Sequence, residues 1–215
     1  MKTIVLALAA FIFLMGCSST RITHSWQAND VVTKEYKKII VIALLKNNDR
    51  EFREKMEGHI VGDLIDLGYN AVASINEFGP KSFEGLKEEE AVAKLKSSGT
   101  DAVITVVLLD KERERKYIPG RVIYSPYSVY YRRFGGYYNT MSNRVFERGY
   151  YSEQTNYFWE SNFYEMDNKE LLYSIQTKSF DPASASELAH EYGRLIVKDM
   201  VKHGVLVKKQ TKLTE

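Results

Sequence analysis

The sequence predicts an α/β domain in which three helices pack on a mixed sheet of about five strands. Two apolar, β-branched runs at residues 39–45 and 102–109 fit strands that are buried on both faces. Helical periodicity follows the first run, and two alternating segments followed by a further helix close the chain. The predicted element order is therefore β-α-β-α-β, an insertion, and then β-β-α.

The amino-terminal half of the domain alternates strands and helices. A strand over 38–45 ends at Asn47-Asn48-Asp49, and Asp49 is a natural N-cap for a helix that ends at Gly68. A short strand over 70–75 and a helix over 86–95 follow, and Glu88 to Glu90 favour the positive end of that helix. The apolar face of the first helix comprises Phe52, Met56, Ile60, Leu64 and Leu67.

The carboxy-terminal half predicts a hairpin and a last helix. Segments 155–165 and 170–180 alternate in polarity around Asp167-Asn168-Lys169. Asp181-Pro182 then predicts an N-cap and a first-turn proline for a helix that ends at Gly204. A single domain over 37–207 and a polar tail over 208–215 result. The apolar face of the helix comprises Leu188, Tyr192, Leu195, Ile196 and Met200.

The amino terminus has the pattern of an export signal. Lys2 precedes an apolar run that begins at Ile4 and is too short for a stable membrane span. Because Leu14-Met15-Gly16-Cys17 closes this run, it resembles a bacterial lipoprotein signal, which implies cleavage after residue 16 and acylation of Cys17. A plain signal with an incidental cysteine is the alternative, but it would leave a free thiol in an oxidising compartment. Residues 17–36 are then a flexible tether.

The resemblance to lipoproteins also implies a cellular location. Acylation by two or more chains gives a firm membrane anchor, so membrane lipid is the first predicted partner. In the enterobacterial sorting pattern, aspartate after the cysteine retains a lipoprotein in the inner membrane. Ser18 and Ser19 stand here instead, which implies the outer membrane. We expect the protein to face the periplasm, and exposure at the cell surface is the alternative.

A tyrosine-rich insertion at about residues 117–152 is the strongest functional signal, because ten of the fifteen tyrosines lie between positions 117 and 157. Tyrosine with interleaved arginine is typical of interaction surfaces. The alternative is that these rings form a small core of their own that covers the sheet. A membrane-inserting hairpin is disfavoured by Pro126 and by the poor alternation of apolar and polar residues in this segment. The predicted interaction residues are Tyr124, Tyr127, Tyr130, Tyr131, Arg132, Arg133, Tyr137 and Tyr138.

The strand before this insertion continues as alternating acidic and basic residues over 110–115. One face would be acidic and the other basic, which favours a solvated ribbon over a ligand-binding surface. The competing functional class is a small-ligand-binding or hydrolytic protein that uses a cleft near Arg113 and Arg115.

No motif in the sequence predicts catalysis, a metal or a cofactor. The four histidines, His24, His59, His190 and His203, lie outside metal-ligand spacing, and we expect His59 to be a packing residue. Nucleophile elbows and phosphate-binding loops are missing from the sequence. The formal charge of +2 becomes +1 when Lys2 is removed with the signal, which argues against a dedicated nucleic-acid binder. The oligomeric state is not predicted.

Several segments together resemble a group of bacterial envelope lipoproteins. These are Ser25-Trp26, Gly99-Thr100-Asp101-Ala102-Val103, Tyr117-Ile118-Pro119-Gly120, Glu160-Ser161-Asn162-Phe163-Tyr164, Leu171-Leu172-Tyr173-Ser174 and Ser179-Phe180-Asp181-Pro182. The α/β domain of that group is similar to the amino-terminal domain of TolB and to the periplasmic domain of CsgG. The resemblance implies a fold and a compartment without a reaction. Together with the insertion, it predicts a non-enzymatic lipoprotein that binds an envelope protein or the cell wall.

Overall fold

A computed structural model of the chain describes residues 19–29, 31, 34–46, 49–118 and 149–209. Within these residues there are six strands in one sheet and four helices. The strands are β1 (Thr20–Gln27), β2 (Ile39–Leu44), β3 (Ala71–Ala73), β4 (Ala102–Ile118), β5 (Tyr150–Glu165) and β6 (Leu171–Phe180). The helices are α1 (Arg50–Asp66), α2 (Ser74–Phe78), α3 (Glu88–Ser97) and α4 (Ala185–Lys202).

The predicted mixed α/β class is confirmed. The strand order is β1-β6-β5-β4-β2-β3, in which β2 pairs parallel with both β3 and β4 while β1 pairs antiparallel with β6. The chain forms two compact units: the body, residues 1–111 and 157–215, and a second unit, residues 112–156. Strands β4 and β5 each contribute residues to both units.

The connections of the parallel strands cover both faces of the body's sheet. The chain leaves β2 through α1 to reach β3 on one side, and it returns through α2 and α3 to β4 on the other side of β2. Because such crossovers are right-handed, opposite directions place α1 and α3 on opposite faces. Helices α1 and α4 pack against each other on one face.

Strand β2 is buried on both faces, as its continuous apolar run predicts. Ile39, Val41 and Ala43 join a large core cluster under α1 and α4, whereas Ile40 and Ile42 join a smaller cluster with residues of α3. The alternation of β5 likewise separates a buried face from a half-buried one. The largest fully buried side chains of the body are Trp159, Tyr173, Tyr192 and Phe163.

The expected tether over 17–36 is wrong for Thr20–Gln27, which forms the edge strand β1. The register of β1 against β6 shifts between Ile22 and His24, which removes the simple alternation that predicts a strand. The strand is held by distant partners. The Thr20 and Ser179 hydroxyls are 2.9 Å apart and buried, and the Ser19 amide donates to Glu191 Oε2 at 2.9 Å.

Two of the predicted helix starts differ in detail. Asp181 is not the N-cap of α4, because it has a φ of 38° and Ser184 occupies that position, where its hydroxyl accepts from the Glu187 amide at 3.0 Å. Asp49 occupies the N-cap position of α1 without a side-chain cap bond. The predicted glycine stops are present: Gly68 and Gly204 follow α1 and α4 with φ values of 90° and 69°.

Candidate functional site

The predicted site residues lie outside the described residues, and their roles stay predictions. This holds for the lipidation site and for the whole predicted interaction surface. They are Cys17, Tyr124, Tyr127, Tyr130, Tyr131, Arg132, Arg133, Tyr137 and Tyr138.

The described part of the second unit is a two-stranded antiparallel ribbon, formed by residues 112–118 of β4 and residues 150–156 of β5. Three cross-strand contacts run in opposite order along the two strands, which defines the antiparallel direction. They are Glu114–Asn156 at 3.1 Å, Arg115–Glu153 at 3.4 Å and the ring pair Tyr117–Tyr151 at 5.1 Å. Residues 110–117 are all exposed, as the solvated-ribbon interpretation predicts.

Three tyrosines of the ribbon present their rings to solvent. Tyr117, Tyr150 and Tyr151 are 52%, 63% and 59% exposed. The Arg115 guanidinium lies 4.5 Å from the centre of the Tyr151 ring and also pairs with Glu153. Such a cation–π contact over a solvent-facing ring is worth about 0.5–1 kcal/mol, so it orients these side chains more than it stabilises the fold. The ribbon thus carries an ordered Tyr/Arg cluster whose three tyrosines lie at the two ends of the predicted insertion.

A cleft of about 450 Å³ opens in the body at the carboxyl ends of β2 and β3. The loop after β2 leads to α1 on one face of the sheet, and the loop after β3 leads to the opposite face. The chain therefore leaves these two neighbouring strands in opposite directions. Open α/β sheets bind ligands at such points. The lining residues come from the end of β2, the start of α1 and the loop after α2. They include Leu44, Lys46, Arg53, Pro80, Phe83 and Glu84.

Arg53 connects two walls of this cleft. Its Nη2 donates to the Leu45 carbonyl oxygen at 2.5 Å, and its Nη1 donates to the Pro80 carbonyl oxygen. Its buried Nε has no hydrogen-bond partner within the described part of the chain. No carboxylate of the described residues lies within 4.0 Å of the guanidinium nitrogens. The cation therefore retains donor capacity and charge at the cleft.

Behind the cleft wall, the fully buried Glu57 joins the ends of β2 and β3. Its Oε1 accepts from the Ala43 amide at 2.9 Å and from the Ser74 hydroxyl at 2.8 Å, and its Oε2 accepts from the Ile75 amide at 2.9 Å. Burial raises the pKa of the Glu57 carboxyl, while the hydrogen bonds and the nearby Arg53 charge oppose that rise. These contacts assign Glu57 a structural role in shaping the cleft.

Two histidines that are far apart in the sequence meet between α1 and α4. The rings of His59 and His190 lie 5.4 Å apart, and a buried oxygen of Asp63 has no hydrogen-bond partner in the described chain. Desolvation and His190 lower the pKa of His59, while burial raises the pKa of the Asp63 carboxyl. The spacing of single residues along the sequence could not reveal this pair, since each histidine lies on a different helix.

Within the described ranges, no group of three His, Cys, Asp or Glu residues could hold a metal ion. Among the described helices, none combines the length and the apolar character that a membrane crossing requires.

Comparison with known families and curated proteins found no match. Solved structures do show likenesses. PelC from Paraburkholderia phytofirmans, a dodecamer, has a TM-score of 0.45 at 10% identity over 86% of this chain and 99% of its own. Lipoprotein GNA1162 from Neisseria meningitidis has a TM-score of 0.38 at 11% identity, over 77% of this chain and 98% of its own. At these levels the likenesses concern the fold and carry no argument about function. The resemblance to TolB and CsgG stays a prediction.

Proposed function

We propose that the chain is a non-enzymatic envelope lipoprotein that presents a Tyr/Arg-rich surface to a protein or cell-wall partner. The observation that supports this most is the ribbon's exposed cluster of Tyr117, Tyr150, Tyr151 and Arg115. Tyrosine and arginine are enriched among the residues that dominate binding energy at interfaces. The predicted interaction residues at positions 124–138 lie outside the described residues, and we propose that they contribute to the same surface.

The contacts within the ribbon suit a binding role. Exposed ion pairs contribute little stability, with a median of about 0–1 kcal/mol, so the fold does not require the Arg115–Glu153 pair. Holding Arg115 over the Tyr151 ring does reduce the side-chain freedom that a partner would have to remove on binding. The cluster is therefore partly preorganised for contact.

A non-enzymatic role accords with where the most strongly perturbed phenols of the described chain lie. Burial raises the pKa values of the Tyr36, Tyr173 and Tyr192 phenols most strongly, and all three belong to the large core cluster. Catalytic sites instead bring perturbed groups together at a cleft. All three phenols are core residues; the Tyr192 hydroxyl lies 2.7 Å from that of Ser161, and the Tyr173 hydroxyl donates to Asp199 Oδ2.

The second candidate, a ligand-binding or hydrolytic site near Arg113 and Arg115, is less well supported. Both arginines are exposed on the ribbon, and Arg115 is already engaged with Tyr151 and Glu153. These contacts favour the role in partner binding.

Membrane attachment through acylated Cys17, at the outer membrane and facing the periplasm, completes the proposal. We expect Cys17→Ser to abolish labelling of the protein by radioactive palmitate and to release it from the membrane fraction. Ser18→Ala is the matched control and should change neither result. Continued labelling of the Cys17→Ser protein would overturn the lipid anchor.

The interaction role is tested by capture of partners from crosslinked envelopes. Serine in place of Tyr130, Tyr131, Tyr137 and Tyr138 should remove the specific partner while the melting temperature stays unchanged. Trp26→Ser, at a half-exposed aromatic of β1 in the body, is the control and should leave the partner in place. An unchanged set of partners with an intact fold would contradict the proposal.

A further inference from the structure

The cleft at the ends of β2 and β3 combines an apolar surface with cations. Leu44 is 50% exposed although it is a large apolar residue, and Pro80 and Phe83 line the same cleft. Phe83 is fixed by an edge contact with Phe78, at 5.3 Å between ring centres. A cavity of this size with a mainly apolar lining and few polar groups is typical of small-molecule sites.

The described residues that line the cleft carry more positive than negative charge. Lys46 and Arg53 both line it, whereas Glu84 is the carboxylate among the lining residues that the structure describes. Glu57, behind the wall, uses both of its oxygens in hydrogen bonds to Ala43, Ser74 and Ile75. Guanidinium and ammonium groups bind carboxylates and phosphates through short, charge-assisted hydrogen bonds. The chemistry of the lining therefore selects an oxyanion.

We propose that this cleft binds a small soluble organic anion. Its carboxylate or phosphate contacts Arg53 and Lys46, and its apolar part packs on Leu44, Pro80 and Phe83. Because the two terminal nitrogens of Arg53 are held by carbonyl oxygens of both walls, the guanidinium is positioned before the ligand arrives. This preorganisation lowers the cost of binding. The proposal concerns the body alone and does not depend on the interaction role of the ribbon.

Equilibrium dialysis of the full-length protein against phenyl phosphate and phenylacetate tests this site. At least one of these probes should bind saturably. Inorganic phosphate should bind about tenfold more weakly than phenyl phosphate, because it lacks the apolar part. Absence of saturable binding by both probes would overturn the proposal.

Two exposed leucines provide a matched pair of variants. Leu44 and Leu109 are 50% and 51% exposed, but only Leu44 lines the described cleft. Leu44→Asp should weaken binding of the probe by about tenfold through charge repulsion, while Leu109→Asp should stay within about twofold of the parent. Equal affinities of these two variants would refute the site.

Replacement of the cations gives a second, independent set of variants. Arg53→Gln should weaken binding of the probe about tenfold. Because Lys46 is exposed, Lys46→Gln provides the same test if the Arg53→Gln protein does not fold. Arg50→Gln, at an exposed arginine paired with Glu54 on the same helix, is the control. Wild-type affinity in both Arg53→Gln and Lys46→Gln would contradict the predicted contacts.

A lipid headgroup carries the same phosphate chemistry, so the source of the ligand is tested separately. Dihexanoyl phosphatidylglycerol, kept below its micelle concentration, should displace phenyl phosphate no better than inorganic phosphate does. Displacement at a lower concentration than unlabelled phenyl phosphate requires would assign the cleft to a lipid and overturn the proposal of a soluble ligand.

Discussion

The aromatic residues of the body and those of the ribbon occupy opposite environments. In the body, Trp159, Tyr173 and Tyr192 are almost completely buried, and Trp159 is within 6.2 Å of Tyr157 and 5.8 Å of Tyr192 between ring centres. In the ribbon, Tyr117 and Tyr151 contact each other at 5.1 Å yet stay more than half exposed. The same residue types therefore build a core in one unit and a surface cluster in the other.

This contrast identifies which tyrosines bear on function. Buried rings contribute through the hydrophobic effect and close packing, and they are costly to remove. Exposed rings contribute little to folding, so their accumulation in one unit calls for another explanation, which binding provides.

Truncation of a core aromatic should have the largest effect on stability. Trp159 is 1% exposed, so Trp159→Ala should lower the free energy of unfolding by about 3–5 kcal/mol. The matched change Tyr151→Ala in the ribbon should cost only about 1 kcal/mol, because it removes an exposed cation–π contact with Arg115 and the contact with the Tyr117 ring. Urea denaturation followed by circular dichroism measures both values. Similar losses in the two variants would remove the distinction between core and surface rings.

Removal of the buried Glu57 carboxylate should have the second-largest effect on stability. Glu57→Ala leaves the amides of Ala43 and Ile75 without their acceptor, so we expect a loss of about 2–4 kcal/mol. Glu54→Ala, at an exposed position on the same helix, is the control and should change stability by about 0.5 kcal/mol or less. Urea denaturation measures both variants. A loss of stability for Glu57→Ala as small as that of the control would contradict the proposed structural role.

A close approach of α1 and α4 predicts a smaller effect. A Cβ at Gly193 would lie 3.0 Å from Asp63 Oδ2 and 3.4 Å from Ile60 Cγ1. Gly193→Ala should therefore destabilise the body by about 1–2 kcal/mol despite the better helix propensity of alanine. In Gly62→Ala on α1, where the added Cβ meets nothing within 4 Å, the protein should be unchanged or more stable. A thermal melt that ranks the two variants in reverse would exclude this close packing.

The smallest predicted effect is a change in how the free energy of unfolding depends on pH. Because the pKa of His59 is lower in the folded protein than its ordinary value of 6.5, the unfolded chain binds more protons as the pH falls through that value. This residue therefore reduces stability on acidification from about pH 7.5 to about pH 5.5. Desolvation is the main cause of the lowered His59 pKa; His190 and Lys55 lower it further, and Asp63 opposes them. The raised pKa of Asp63 itself acts on stability in the opposite direction, nearer its own ordinary value of 3.8.

His59→Gln should reduce the slope of stability against pH over this range, whereas His24→Gln, on the exposed part of β1, should leave the slope unchanged. The free energy of unfolding at several pH values provides the measurement. A steeper slope in His59→Gln would contradict the assigned direction of the shift.

Local patterns predicted the elements whose stability is mainly local. The apolar run of β2 and the helical spacing of α1 both appear in the structure within a few residues. Strand β1 could not be predicted, because its pairing depends on β6 more than a hundred residues later. The N-cap of α4 is Ser184 and not the predicted Asp181; the Ser184 hydroxyl accepts from the Glu187 amide, and the Glu187 carboxylate accepts from the Ala183 amide.

The candidate sites likewise divide into one that a local pattern of the sequence indicates and others that only the fold brings together. Composition alone indicated the Tyr/Arg-rich unit, because a cluster of one residue type is visible in a linear sequence. The cleft was missed, since its walls come from the end of β2, the start of α1 and the loop after α2. The meeting of His59 and His190 likewise requires the packing of α1 on α4.

Photocrosslinking in intact envelopes shows directly whether the ribbon contacts a partner. A benzoylphenylalanine residue replaces either Tyr151 of the ribbon or Ile65, an exposed residue of α1 in the body. We expect a discrete, light-dependent adduct at position 151, which disappears when Arg115 is also replaced by alanine, and none at position 65. No adduct at position 151, or an identical adduct at both positions, would contradict the proposed role of the ribbon.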